Sequence, residues 1–173
     1  MEPQSASGGI QAARPDRNLA LELVRTTEYA ALVLGGSLFL PWFGTSDNEN
    51  STIESAGIGP GESASAWETF GILHFLLLAA CTAPFILSWI IARGHKLTWA
   101  PGEVTMIVGF AAITLIGYNG IIDRPAPDNG TEFGIGLSYG YWLALLGAIA
   151  IAATGFLRSQ VGQKRERKAP GTV

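Results

Sequence analysis

Charge is what this chain has least of. Only 14% of its 173 residues are Asp, Glu, Lys or Arg, where a soluble domain carries about a quarter. That scarcity argues against a water-exposed helical bundle, whose outer faces need far more charge. Cysteine is almost missing too. Cys81 stands alone, so neither an intrachain disulfide nor a zinc site built from cysteines can form. Histidine occurs only at positions 74 and 95. The Ser-His-Asp, Cys-His, P-loop, GxGxxG and HExxH arrangements do not occur. No acidic spacing matches a calcium loop. The expectation is a non-enzymatic protein with no cofactor and no metal, and with no nucleic-acid partner.

What the chain does have is long apolar runs. A helix needs roughly 20 apolar residues to cross a bilayer core of about 30 Å. One run passes through Glu28-Tyr29-Ala30-Ala31 and continues to Trp42. The others extend from about Trp67 to Ala92, from Val104 to Ile122, and from about Phe133 to Leu157. None holds a charged residue near its centre. Arg14, Arg17 and Arg25 belong to the start of the first run. Arg93 and Lys96 sit between the second and third, and Arg158, Lys164, Arg165, Arg167 and Lys168 follow the fourth. The two other connections hold Arg124 alone among cations, with Asp47, Glu49, Glu54, Glu62, Asp123, Asp128 and Glu132. Basic segments stay in the cytoplasm.

The fold expected is therefore an all-α membrane protein. Four transmembrane helices form an antiparallel bundle, with both termini cytoplasmic. The helices are placed at about 19–43, 66–93, 102–122 and 133–158, within a domain spanning 17–158. A disordered N-terminus (1–16) precedes it and a basic cytoplasmic tail (159–173) follows. The first apolar run begins too late for a signal peptide.

Local signals set the boundaries. Asp16 is placed as the cap of a helix starting at Arg17, and Glu22, Arg25 and Glu28 are spaced to pair across its turns. Glu28 reads as an interfacial ion-pair member before a transport carboxylate. Pro41 ends the first helix, and Trp42 suits the headgroup boundary. The acidic loop 44–64 is either exposed or folds as a short hairpin over the bundle. Ser65-Ala66-Trp67-Glu68 fits a capping box opening the second helix, with Trp67 at the same boundary as Trp42. Pro84 is expected to kink that helix, which ends at Trp89, Arg93 and Gly94. Pro101 and Glu103 suit the first turn of the third helix. Asn50 and Asn129 begin glycosylation sequons.

Three groups of residues are candidates for function. Gly136, Gly140, Ala144, Ala148 and Ala152 recur every four residues, a stripe that lets another helix approach closely. It serves either a homo- or hetero-oligomer or, by preference, packing against the first or second helix, where Ala31, Gly35 and Gly36 offer a matching surface. His74 is an ionisable group expected one or two turns inside the membrane, and a functional reading follows by default. Its quieter reading is a neutral imidazole bonded to a neighbouring helix through Asn119 or Tyr118. His74 and Asn119 form the candidate intramembrane polar site. The basic tail should be drawn to anionic lipid, so the bilayer itself is a partner.

The stretches Leu40-Pro41-Trp42-Phe43 and Ser65-Ala66-Trp67-Glu68-Thr69-Phe70, joined by an acidic loop, resemble a group of small four-helix membrane proteins from actinobacteria. The resemblance implies a multi-pass protein of a bacterial inner (plasma) membrane and implies no activity. The function expected is that of an accessory or interaction subunit. The alternative is a small oligomeric transporter or channel.

Overall fold

The computed structural model describes residues 14–95, 97–125 and 134–167, with side chains placed for 18–95, 97–125 and 134–162. The expectations for residues 1–13, the Asn129 sequon, Asp128, Glu132 and the tail from Lys168 lie outside those residues. The described chain is mostly helical. Its elements run α1 (Arg14–Ser37), β1 (Pro41–Thr45), β2 (Ser63–Ser65), α2 (Ala66–Thr69), α3 (Leu73–Ala92), α4 (Pro101–Gly117), β3 (Ile135–Leu137) and α5 (Tyr139–Arg167). The long helices α1, α3, α4 and α5 form a bundle. The α4–α5 and α1–α5 contacts are the most extensive, and α3 packs more loosely against α1 and α4.

Among the described residues, three helical stretches are long and apolar enough to cross a membrane: Leu73–Ala92, Pro101–Ile122 and Tyr139–Gly162. α1 is not among them, because Glu22, Arg25 and Glu28 fall within its body. It also begins at Arg14, so Asp16 lies inside its first turn rather than capping it.

The first helix stops earlier than position 43. Beyond Ser37 the backbone tightens, with Leu38, Phe39 and Leu40 each bonding three residues back, as helix ends often do. Pro41 then opens strand β1, a position where its missing N–H costs little. β1 is the centre of a three-stranded antiparallel sheet ordered β2-β1-β3. Phe43 faces Ala64 on one side and Leu137 on the other. The 44–64 segment is therefore a hairpin over the bundle, with Ile53 buried and bridged to Ile58.

Sheet pairing also moves the start of the last helix. Gly136 pairs with Gly44 in β3, and α5 begins only at Tyr139. At its other end α5 continues to Arg167, so residues 159–167 are helical rather than a free tail.

The second helix is broken. Ser65 and Glu68 form the capping box, with the Ser65 amide donating to Glu68 Oε2 at 2.8 Å and the Glu68 amide to Ser65 Oγ at 3.3 Å. One turn later Phe70 is extended, and α3 starts afresh at Leu73. α3 passes through buried Pro84 without interruption. It ends where Gly94, at φ +76°, lets its amide reach Ile91 O at 2.9 Å and the His95 amide reach Ile90 O at 3.3 Å. Those paired bonds satisfy the last carbonyls as a Schellman motif does.

The core sits under the sheet, between α1, α3 and α5. Leu34, Leu38, Trp42, Phe43, Leu77 and Tyr141 are all buried there. Trp42 is fully buried, which corrects its placement at the headgroups. Its indole N–H donates to Ser37 O at 2.8 Å, and this buried polar atom is thereby satisfied.

Candidate functional site at the sheet end of the bundle

The break between α2 and α3 places His74 second in α3, in the first turn. Its ring lies 4.2 Å from that of Trp67 and 4.1 Å from that of Phe75, centroid to centroid. His74 is thus level with Trp67 rather than one or two turns beneath it. The imidazole Nδ1–H donates to the Phe70 carbonyl, four residues back. In an unbroken helix that carbonyl would accept the His74 amide. The extended Phe70 forfeits that bond, and the side chain replaces it. Nδ1 therefore carries the proton.

Asn119 does not meet His74. Its Nδ2 donates to Leu115 O at 2.9 Å, within its own helix. It lies in a π-helical turn, Tyr118–Ile122, that closes α4. The Asp123 amide returns to Tyr118 O at 2.9 Å and Arg124 Nε donates to Gly120 O at 2.7 Å, finishing the turn. The two residues of the expected polar site are thus separate fittings, each satisfied by a carbonyl one turn earlier.

Between them lies an aromatic cluster. Trp42 meets Tyr141 edge to face at 5.7 Å and Phe70 at 5.9 Å. Gly120 lies under the Tyr141 ring so closely that a Cβ there would be 2.0 Å from Cε2. The Tyr141 hydroxyl is buried with no hydrogen-bond partner among the described residues. Nothing in the reading of the sequence singled out Tyr141; the glycine at 120 is intelligible only once α5 lies across it.

The small-residue stripe serves contacts inside the chain. Of its five residues, Gly140, Ala144, Ala148 and Ala152 are buried along α5, while Gly136 is exposed in β3. A Cβ on Gly140 would lie 2.5 Å from Pro41 O. Ala152 instead touches α4, across Gly109. The expected partner was the first or the second helix; Gly140 meets the Leu40–Pro41 backbone that follows α1, and Ala152 meets α4. Gly147, outside the stripe, faces the backbone of Ala30 and Leu34 on α1, and Gly155 faces Met106 on α4. Gly35 lies against Cys81 of α3 and Gly36 against nothing. The matching face of α4 was missed, although Gly102, Thr105, Gly109 and Ala112 show its three-four spacing in the sequence.

A polar contact joins α1 to α5 within this packing. Thr27 Oγ1 lies 2.9 Å from Thr154 Oγ1, and both hydroxyls also reach carbonyls of their own helices. Glu28 of α1 acts electrostatically on Arg158 of α5.

Outside the apolar spans, the acidity of Glu68 is set by its neighbours. The Ser65 amide, and secondarily its hydroxyl, hold it below the usual carboxylate range. Among the described residues no cluster of three His, Cys, Asp or Glu is placed to hold a metal ion. Chemically, this end of the bundle offers packed rings, the bonded donors of His74, Asn119 and Trp42, and the buried hydroxyl of Tyr141. No family model, no curated protein and no solved structure matches the chain.

Proposed function

We propose that this chain is a multi-pass plasma-membrane protein that crosses the bilayer four times, keeps both termini in the cytoplasm, and acts by contact as an accessory or interaction subunit. One observation carries the membrane reading: large apolar side chains stand exposed along the apolar helices, among them Phe75, Ile86, Ile107, Phe110, Leu146 and Phe156. In water so many exposed large apolar side chains would be costly, since soluble monomers tolerate only limited apolar patches. Lipid removes that cost.

A fourth crossing is supported by the second half of α1. From Tyr29 to Ser37 it is uncharged, exposes Leu32 and Val33, and packs beside α5. The cytoplasmic assignment of the termini rests on the Lys/Arg distribution. A bacterial membrane rests on the resemblance carried by the Leu40–Phe43 and Ser65–Phe70 stretches. A role through contacts is supported by the polar interior, where Thr27, His74 and Asn119 are all bonded within the bundle.

Reporter fusions at both ends test the topology, and either terminus found outside would overturn it. Affinity capture from mild-detergent extracts tests the role: a stoichiometric partner is expected, and a solitary chain in native membranes counts against it. Liposome flux with wild type and His74→Ala separates this reading from a small oligomeric transporter or channel. Flux abolished by that substitution would replace the accessory role.

A further inference from the structure

At the end of the bundle opposite the sheet, α1 begins, α4 begins and α5 passes out of its apolar stretch. A cleft of about 260 Å³ opens there. Leu23 and Val24 of α1, Pro101 of α4 and Val161 of α5 give it apolar walls, and the half-buried Arg158 supplies its charge. We propose that this cleft binds one anionic phospholipid, its phosphate on the Arg158 guanidinium and the first part of an acyl chain along Leu23, Val24 and Val161. The inference rests on the membrane reading above and adds a ligand to it.

Three observations point to that occupant. The walls are largely apolar but include the cationic Arg158, which matches a molecule that is apolar at one end and anionic at the other. Every Lys and Arg except Arg124 falls within or before the first half of α1, between α3 and α4, or from Arg158 onward. The field at this end therefore attracts anions, at about 1 kcal/mol per cation near a lipid surface. Finally, the volume is below the roughly 300 Å³ at which pockets for drug-sized molecules begin. That suits a glycerol-phosphate region with its chain continuing into the bilayer.

The start of α4 adds to the attraction. Ala100 provides no side-chain cap, and the positive end of the helix dipole faces this side. Several carboxylates at this end oppose it: Glu103 in the first turn of α4, Glu22 next to Leu23 in α1, Asp16 and Glu166 in the sequence of the outer turns, and Glu28, which acts on Arg158 from α1. Glu28 is therefore the competitor that a bound phosphate must outweigh.

The test uses the full-length protein. Flotation with vesicles comes first: a chain that floats with no composition would overturn the membrane reading itself. Native mass spectrometry then follows retention of phosphatidylglycerol against phosphatidylcholine. One phosphatidylglycerol per chain is expected, retained in preference to phosphatidylcholine and not displaced by excess inorganic phosphate. Arg158→Gln should weaken retention roughly fivefold, the equivalent of losing one surface cation. Glu28→Gln should leave it equal or stronger. Gly162→Leu keeps Arg158 and meets no neighbour at its Cβ. It should fill the cleft and reduce retention with unchanged circular dichroism, so the test survives a misfolded Arg158 variant. Equal retention of the two lipids, or Arg158→Gln and Gly162→Leu both binding like wild type, would overturn the site. Displacement by inorganic phosphate alone would assign it to a soluble anion, and cross-links from the cleft to residues 1–13 would assign it to the chain's own N-terminus. Either result also overturns the proposal.

Discussion

Gly109 of α4 and Ala152 of α5 touch backbone to backbone: a Cβ on Gly109 would lie 2.4 Å from the Ala152 nitrogen. No side chain stands between the helices there, so nothing can give way except the helices themselves. Gly109→Ala should cost about 1–3 kcal/mol, the usual penalty of overpacking. Gly36→Ala is the control. Its Cβ would meet nothing within 4 Å, and alanine is favoured over glycine inside a helix by roughly 0.5–1 kcal/mol. Thermal unfolding in detergent should separate the two variants. Equal effects would show that α4 and α5 are not in this contact.

Tyr141→Phe should do no harm. The hydroxyl is buried and has no partner among the described residues, and an unmet buried polar group costs about 1–3 kcal/mol. A gain of about 1 kcal/mol is expected, read from the unfolding midpoint. A loss of that size would mean that the hydroxyl has a partner in the membrane. Gly120→Ala should act in the opposite direction, since its Cβ would enter the Tyr141 ring.

The Thr27–Thr154 bond invites a double-mutant cycle with valine at both positions. Each hydroxyl also bonds its own helix, so single substitutions mix local and interhelical effects. The coupling isolates the 2.9 Å contact. It should be near 0.6 kcal/mol, the average for interhelical hydrogen bonds in membranes. A coupling of zero would mean that α1 and α5 are held by packing alone.

Glu68 gives a pH dependence with a defined sign. Its carboxyl is held low in the folded state, first by the Ser65 amide and then by the Ser65 hydroxyl. A lowered folded value means that ionised Glu68 stabilises the capped turn above its unfolded pKa, and that this support fades as pH falls through the folded value. Amide protection around Ser65–Glu68, corrected for intrinsic exchange, should hold near neutrality and decline in acid. Glu68→Gln should remove that acid decline. A wild type whose protection ignores acid would refute the assignment.

What could be read from the sequence was mostly what depends on near neighbours. Ser65 and Glu68 are three apart, and the capping box follows from that spacing. Gly94 and Pro101 bracket the link between α3 and α4 by the same local logic. Non-local pairing was out of reach. Trp42 beside Pro41 has the composition of a membrane boundary, yet strand pairing with segments some 20 and 95 residues away pulls it into the core. The same pairing removes Gly136 from the last helix. His74 was misplaced because apolar composition runs unbroken through Phe70-Gly71-Ile72, while the backbone does not. The packing stripe was half legible: its residues on α5 were visible, but the choice of α4 as partner depends on which helices become neighbours.

The three-stranded sheet has a mechanical corollary. Its middle strand is stitched to the lead-in of α2 on one side and to that of α5 on the other, so three separate helical segments are tied at a single rim. Twisting any one of these rods drags its fellows at that mouth, whereas their far ends meet only through side chains and turns. Whatever pulls on this molecule from the sheet side grips it as a unit, and splaying begins at the opposite opening.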